Sequence, residues 1–111
     1  MQTYTTTKAH ERSFDTAPRV RTGDLVRFLR HEPEHPGWFF GRAGDLEGYF
    51  PLNWFDLSAD ESAATARRDY NAAELTIEVG VDVECVETEG AWLLVRTAAG
   101  DEGWIPSACV E

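Results

Sequence analysis

The chain has 111 residues, of which 42% are hydrophobic and 12% aromatic, and its formal net charge is −10. This apolar content is enough to build a core, which excludes disorder of the whole chain. The negative charge disfavours the phosphate backbone of a nucleic acid and an anionic lipid surface, so we expect no nucleic-acid or membrane partner.

The longest apolar run, residues 91–95, is far shorter than the roughly 20 residues of a membrane span. Residues 1–8 lack the apolar segment of a signal peptide. We therefore expect a cytoplasmic, bacterial protein in which the two cysteines, Cys85 and Cys109, stay reduced.

The charge is distributed unevenly along the chain. Residues 1–57 carry seven Lys or Arg against eight Asp or Glu, whereas residues 58–111 carry three against twelve. The second half therefore holds most of the acidic excess. This excess would steer a cationic partner towards it, and it also favours solubility.

The first clear element in chain order is a strand. Apolar and polar side chains alternate over residues 25–30, as in a half-buried β-strand. Turn residues flank it at Gly23 and at Pro36-Gly37.

The next segment, residues 31–35, reads His-Glu-Pro-Glu-His and fits the H-E-x-x-H pattern of zinc proteases. That chemistry needs both histidines on one face of a helix, and the prolines at 33 and 36 disfavour a helix here. We interpret the segment as a surface loop, with a weak metal site formed by His31 and His35 as the alternative.

A Gly-aromatic-apolar-Pro signature follows at residues 48–54, after a turn at residues 43–45. The small polar residues 58–63 then suggest a linker between two domains. One helix over residues 59–68 is the alternative, which the absence of an apolar stripe disfavours.

The second half repeats the pattern of the first. Residues 81–86 alternate like a strand, turns follow at residues 89–90 and 99–101, and the signature returns at residues 103–109. Each signature follows a tryptophan, Trp38 or Trp92. The sequence therefore predicts an all-β fold of two units, with domains at residues 1–57 and 64–111 and the linker at 58–63.

The second copy resembles the SH3 domain. Residues 66–70 (Ala-Arg-Arg-Asp-Tyr), residues 74–76 (Glu-Leu-Thr), Gly80, Trp92 and residues 103–107 (Gly-Trp-Ile-Pro-Ser) follow the landmarks of that family in order. The first copy aligns with the second at similar spacings, so it resembles a divergent SH3 domain. The resemblance implies two small SH3-like five-stranded antiparallel barrels in tandem.

The resemblance also implies a site. SH3 domains commonly bind proline-rich PPII peptides on a strip of aromatic side chains, with an acidic rim that pairs with an Arg or Lys of the peptide. The residues that match this strip in the second copy are Tyr70, Glu74, Trp92, Trp104 and Pro106, with Glu87 and Glu89 as acidic reinforcement. Those that match it in the first copy are Trp38, Tyr49, Pro51, Asn53 and Trp54.

Neither copy matches the family pattern completely. In the second copy, Arg68 replaces the first pocket tyrosine, and Ala108 and Cys109 replace the asparagine and the last tyrosine. In the first copy, Glu11 and Ser13 stand at the positions of both N-terminal tyrosines. Two interpretations stay open: one composite groove formed by both copies, or loss of PPII binding with the aromatic residues packed away.

No nucleophile, base and orienting residue are evident as a set, and we expect no enzyme and no cofactor. The expected function is binding of a protein or peptide partner, proline-rich and carrying Arg or Lys. The alternative is a structural or regulatory accessory that oligomerises or docks onto a larger enzyme without PPII binding. A cell-wall-binding role is disfavoured by the missing export signal, and the oligomeric state is left open.

Overall fold

The computed structural model describes residues 2–111, which form β-strands joined by tight turns and two short 3₁₀ helices. The all-β prediction is confirmed. No helix in this range is long and apolar enough to cross a membrane. The strands are β1 Gln2–Thr5, β2 Arg19–Val20, β3 Leu25–His31, β4 Trp38–Ala43, β5 Leu46–Pro51, β6 Phe55–Leu57, β7 Ala63–Ala66, β8 Tyr70–Asn71, β9 Asp82–Glu89, β10 Trp92–Thr97 and β11 Glu102–Pro106. The 3₁₀ helices are Leu52–Trp54 and Ser107–Val110.

The chain divides into two compact units whose membership differs from the predicted domains. One unit combines Met1–Asp15 with Ala73–Glu111, and we call it the split unit. The other is the uninterrupted segment Thr16–Ala72, which we call the continuous unit. The chain therefore changes unit after residues 15 and 72, where the sequence predicts a linker at residues 58–63.

The predicted linker is a hairpin connection inside the continuous unit. It joins β6 to β7, which pair in antiparallel register, and the Ser58 N–H donates to the Ala63 carbonyl at 2.8 Å. The Asp60 carboxylate accepts hydrogen bonds from the hydroxyls of Ser62 and Ser58, at 2.7 and 2.8 Å. These bonds favour the ionised form and lower the pKa of Asp60. The alternative helix over residues 59–68 is wrong, because residues 63–66 form strand β7.

The continuous unit contains an antiparallel sheet in the order β5-β4-β3-β7-β6 and a separate β2–β8 ribbon. The predicted strand at residues 25–30 is confirmed as β3, and its register with β4 shifts between Phe28 and Arg30. The predicted turn glycines Gly37 and Gly44 have φ of 90° and 62°, which glycine adopts without steric cost.

The core of the continuous unit is aromatic. Phe39 and Phe50 are fully buried, and their rings stack with centroids 5.3 Å apart. Phe55 meets both rings edge-on, with centroids 5.5 Å away. Small residues accommodate these rings: Ala64 and Ala66 on β7 are also buried.

The split unit contains an antiparallel sheet in the order β1-β9-β10-β11. The predicted strand at residues 81–86 is confirmed as part of β9. The core of this unit is aliphatic, and Tyr4 of β1 packs against it. Its buried members are Ile77, Val83, Leu93, Val95, Ile105 and Cys109.

The two units repeat one hydrogen-bond pattern. Trp38 lies opposite Pro51 in the β4–β5 pair, and Trp92 lies opposite Pro106 in the β10–β11 pair. The two signatures, which the sequence predicts to correspond, thus pair with their tryptophans in the same way.

Strands β7 and β1 also occupy corresponding positions in the two units, because each accepts a hydrogen bond from the glycine before a long strand. The Gly23 N–H donates to the Ala66 carbonyl at 2.7 Å, and the Gly80 N–H donates to the Thr6 carbonyl at 2.8 Å. Strand β1 of the split unit therefore occupies the place of β7 in the continuous unit. The signature at residues 48–54 thus shares a sheet with β7, and the signature at residues 103–109 shares a sheet with β1.

Candidate functional site

The structure divides the ten predicted ligand-binding residues between the two units differently from the way the sequence divides them between the two copies. Tyr70, predicted to belong with the second copy, lies in the continuous unit. The predicted residues in this unit are therefore Trp38, Tyr49, Pro51, Asn53, Trp54 and Tyr70. Those in the split unit are Glu74, Trp92, Trp104 and Pro106.

Tyr70 supplies the aromatic residue that the first copy lacks. Its ring lies edge-on to Trp54 at 5.4 Å and tilted to Phe50 at 5.5 Å, measured between centroids. Its hydroxyl donates to the backbone carbonyl of Tyr49 at 2.7 Å. Strand β8 fixes this position, because Tyr70 pairs with Val20 of β2. The strip that is incomplete in each sequence half is thus assembled within one unit.

Arg68 covers Trp54. The guanidinium carbon lies 3.6 Å from the centroid of the Trp54 ring, a cation–π arrangement. Arg68 stands where the family resemblance predicts a pocket tyrosine, and its guanidinium lies over one face of the Trp54 ring. Trp54 is buried, with 6% of its surface exposed.

Most of the strip in the continuous unit is buried. Trp38 and Tyr70 each expose 4% of their surface, and Pro51 is fully buried. Tyr49 is half-buried and Asn53 is exposed. The large apolar surfaces on which a PPII peptide would lie are therefore already covered in this structure.

In the split unit, the predicted acidic rim residue is engaged internally. Glu74 Oε1 lies 2.9 Å from His10 Nε2 and accepts hydrogen bonds from the Ser13 backbone N–H at 3.1 Å and the Ser13 hydroxyl at 2.9 Å. Only 7% of the Glu74 side chain is exposed. Glu74 is predicted to pair with a cation of the peptide, but in the structure its carboxylate holds residues 10–13 against the rest of the unit.

His10 is a central residue that the sequence reading missed. Its N–H and carbonyl exchange hydrogen bonds with Ile77 at 2.9 and 2.8 Å. This pair corresponds to Val20 and Tyr70 in the other unit, so His10 stands at the place of Tyr70. The imidazole lies edge-on to Trp92 with centroids 5.7 Å apart. Alignment by sequence order assigned residue 10 to the first copy, whereas the structure places it in the split unit with the second signature.

The other aromatic residues of the split unit are also buried. Trp92 exposes 8% of its surface and Trp104 exposes 2%, while Pro106 is partly buried. The predicted reinforcing acids Glu87 and Glu89 are partly buried as well.

Ser13, His10 and Glu74 are residue types that hydrolases use, but their geometry differs from a catalytic triad. The Ser13 hydroxyl donates to the Glu74 carboxylate, whereas a nucleophilic serine needs a hydrogen bond to the histidine. The arrangement can fix the conformation of residues 10–13, and it does not generate a nucleophile.

The H-E-x-x-H segment has no helix. His31 ends β3, and residues 32–37 turn into β4. His31 Nε2 lies 2.9 Å from Glu61 Oε1 at the surface, and the His35 ring lies 6.4 Å from that of Tyr49. Among residues 2–111 no group of three or more His, Cys, Asp or Glu side chains is arranged to hold a metal ion.

Both cysteines are free thiols. Cys109 is buried, and burial raises its pKa, which the charge of Lys8 lowers by less. Burial also raises the pKa of Cys85. A raised pKa keeps a thiol protonated and weakly nucleophilic at neutral pH, so neither cysteine is activated.

Comparison of the chain with models of protein families, with curated proteins and with solved structures finds no match.

Proposed function

We propose that the chain is a non-catalytic accessory protein of two SH3-like barrels that docks onto a partner protein without using its aromatic strips as a PPII-binding groove. The observation that carries this proposal is the burial of the strip residues. Trp38, Tyr70 and Trp92 expose 4%, 4% and 8% of their surfaces, so their rings serve packing.

The SH3-like part of the proposal is supported by the repeated register. Two units with different cores share the Trp–Pro cross-strand pair and the hydrogen bond from the glycine before the long strand. Such a shared pattern is expected of a duplicated fold. The step from this fold to docking is made by analogy with other SH3-like domains.

Charge supports a basic partner surface. The continuous unit carries seven Lys or Arg against nine Asp or Glu, a net −2, and the split unit carries three against eleven, a net −8. These two values sum to the −10 of the whole chain. A surface of this sign accelerates encounter with a cationic partner, and the acceleration falls as salt is added.

An NMR titration tests the proposal. The probe is a proline-rich peptide that carries arginine, and the readout is the set of four tryptophan indole N–H resonances. We expect these resonances to stay unshifted up to about 1 mM peptide, the concentration that detects even millimolar binding. Saturable shifts of the Trp38 or Trp92 indole would overturn the proposal.

Those shifts would instead support the second candidate function, recognition of a PPII peptide. One observation favours it: the continuous unit gathers Trp38, Tyr49, Pro51, Asn53, Trp54 and Tyr70, which are six of the predicted ligand-binding residues. Asn53 is exposed and Tyr49 half-buried, so they would contact the peptide first. A titration in which their resonances shift together with the Trp38 indole would establish this function.

A further inference from the structure

Leu25 is the most exposed large apolar side chain of residues 2–111, with 70% of its surface open to solvent. It begins β3, the middle strand of its sheet, and the next residue, Val26, is buried. Because side chains alternate along a strand, Leu25 and Arg27 both face outward, about 7 Å apart. A single exposed leucine is common on protein surfaces, so its surroundings decide whether it has a role.

The neighbouring strand β7 leaves these two side chains uncovered. Its outward residues are Thr65, which lies opposite Leu25, and Ala63, which lies opposite Arg27. Both are short and partly buried, whereas Leu25 and Arg27 are exposed. Strand β7 therefore forms a low floor beside the longer side chains of β3.

The charges on this face leave one arginine uncompensated. Arg27 lies directly opposite Arg42 of β4, and Arg42 lies opposite Glu47 of β5. The Glu47 carboxylate is engaged by Arg42, with 2.6 Å between Nη2 and Oε2. Within residues 2–111 no carboxylate forms an ion pair with Arg27. Like charges directly opposite each other in a sheet repel, so this face holds an excess positive charge at an unfavourable position.

The split unit has the same row of positions with complementary charges. Glu84 lies opposite Arg96, and Arg96 lies opposite Glu102, with 2.9 Å between Arg96 Nη2 and Glu102 Oε1. The position that corresponds to Leu25 holds Asp82. The fold therefore requires neither an exposed leucine nor two opposed arginines on this face.

The two departures occur on one strand and on one side of it, and together they fit one kind of ligand. A carboxylate between Arg27 and Arg42 would relieve their repulsion, because guanidinium groups bind carboxylates through paired hydrogen bonds. An exposed ion pair alone contributes little, whereas an apolar side chain packed on Leu25 would add the burial of apolar surface. A simple anion would leave Leu25 exposed, so a protein segment fits this face better.

We propose that the face formed by Leu25, Arg27 and Arg42, the outer patch, is a docking site for an extended segment of a partner protein. This segment carries an apolar residue that packs on Leu25 and, two positions away, an acidic residue that binds between the arginines. The inference rests on the proposed function only in treating the chain as a protein-binding module. The net −10 of the chain still favours a partner surface that is basic overall, so the acidic residue is a local feature of that surface.

The test is an NMR titration of the full chain with a capped heptapeptide, Lys-Ser-Leu-Ser-Glu-Ser-Lys. Its leucine and glutamate are two positions apart, which matches the spacing of Leu25 and Arg27 for an extended peptide of either direction. We expect saturable shifts of the backbone amide resonances of these two residues. No shift up to about 5 mM peptide, a concentration that detects millimolar affinity, would overturn the docking site.

The variant Arg27→Glu separates binding from stability. It should weaken peptide binding at least about tenfold, because it places a carboxylate where the peptide carboxylate would bind. It should not lower the free energy of unfolding, because a glutamate opposite Arg42 reproduces the Glu84–Arg96 pair of the split unit.

The matched control is Arg19→Glu, which makes the same change of net charge on β2, a strand of the other sheet in this unit. It should bind the peptide within about twofold of the unchanged chain at about 0.15 M salt, which screens exposed charges that are not in contact. Equal weakening by the two variants would show that net charge governs binding, and it would overturn the site.

Two further changes test the chemistry of the segment. A peptide with glutamine in place of glutamate should bind about fivefold more weakly, and Leu25→Ser should weaken binding of the first peptide by a similar factor. Equal binding of the two peptides would overturn the acidic residue of the segment. Unchanged binding by Leu25→Ser would overturn its apolar residue.

Other occupants of the outer patch would give different results. If inorganic phosphate shifts the Leu25 and Arg27 amides with the affinity of the peptide, the site binds a simple anion and the proposed segment is wrong. If these amides shift on concentrating the chain alone, with an increased solution mass, the occupant is a second copy and the proposed partner is wrong. None of these readouts uses the tryptophan indoles, so failure of this inference is distinguishable from failure of the proposed function.

Discussion

The two units pair their signature strands in the same register, but they place their large core side chains on different strands. In the continuous unit the large side chains, Phe39 and Phe50, stand on β4 and β5, and the facing strand β7 contributes alanines. In the split unit the positions of these two rings are taken by Leu93 and Ile105, and the facing strand contributes the larger Tyr4. A core needs a conserved total volume more than a conserved residue at each position.

This difference explains which strand completes which unit. Strand β7, with Ala64 and Ala66, fits against phenylalanine rings, whereas β1 brings Tyr4 to a core of smaller aliphatic side chains. Exchanging the two strands would overfill the aromatic core and leave space in the aliphatic one. Either change typically costs several kcal/mol in total.

Removing one ring from the aromatic core should have the largest effect. Phe39→Ala should lower the free energy of unfolding by about 3–5 kcal/mol, because Phe39 is fully buried and contacts Phe28, Phe50 and Phe55. Hydrogen exchange of the amides of residues 16–72 measures this. Leu93→Ala is the matched substitution in the split unit and should cost less, about 2–3 kcal/mol. A larger loss for Leu93→Ala would contradict the greater dependence of the continuous unit on its rings.

Adding one methyl group at Gly41 should have the next largest effect. A Cβ there would lie 2.8 Å from the Arg27 carbonyl oxygen, 3.0 Å from the Phe39 ring and 3.0 Å from a methyl group of Val26. Gly41→Ala should therefore destabilise by about 1–3 kcal/mol, although the corresponding position of the split unit holds a buried valine, Val95. Chemical denaturation measures the loss.

The companion variant for Gly41 is Phe39→Leu, which copies the residue at the same position of the split unit. Because the smaller side chain gives way to the new methyl group, the double variant should be less destabilised than the sum of the two single variants. Strict additivity would show that the Arg27 backbone, and not the ring, resists the added group.

Breaking the Glu74 contacts should have a moderate effect on the split unit. Glu74→Ala removes the acceptor of His10 and Ser13 and should cost about 1.5–3 kcal/mol, the range for hydrogen bonds to a charged group. Exchange rates of the amides of residues 10–13 report this loss. Glu74→Gln keeps an oxygen acceptor and should cost about half as much; an equal loss would mean that the charge, and not the hydrogen bonds, holds the segment.

The smallest effect should come from Arg68 at the strip of the continuous unit. Arg68→Ala should lower the free energy of unfolding by about 0.5–1 kcal/mol through loss of the cation–π contact with Trp54. Arg67→Ala is the control, since Arg67 forms an exposed ion pair with Asp56 at 3.8 Å, and it should cost less than about 0.5 kcal/mol. If only Arg67→Ala destabilises, the Arg68 contact with the Trp54 ring contributes nothing to stability.

Much of the fold was accessible from the sequence because it is encoded locally. Side-chain alternation predicted β3 and β9, and the glycines at 23, 37, 44, 90 and 100 predicted turns that the structure confirms with positive φ. The repeated Trp and Gly-aromatic-apolar-Pro signatures predicted two units, and each signature does pair its Trp with its Pro. Period and turn chemistry act within a few residues, so one sequence suffices to identify them.

The membership of the units was not accessible, because it depends on pairing between distant strands. Residues 64–66 stand at the start of the predicted second domain and residue 63 at the end of the predicted linker, so sequence order separated them from the first copy. In the structure they pair with β3, about 40 positions earlier, because their alanines complement the phenylalanine core. The same error divided the candidate strip, placing Tyr70 with Trp92 when it contacts Trp54.

The interruption of the split unit also sets an order for folding during synthesis. All residues of the continuous unit, 16–72, leave the ribosome before most of the split unit exists. Strand β1 is made before the continuous unit but can pair only after β9 has been made, and the Thr7 hydroxyl bonds to the Glu111 carbonyl, 104 positions later. Contacts so distant in the chain form slowly. We therefore expect the nascent chain to display a folded, aromatic-cored unit while β1 is still unpaired.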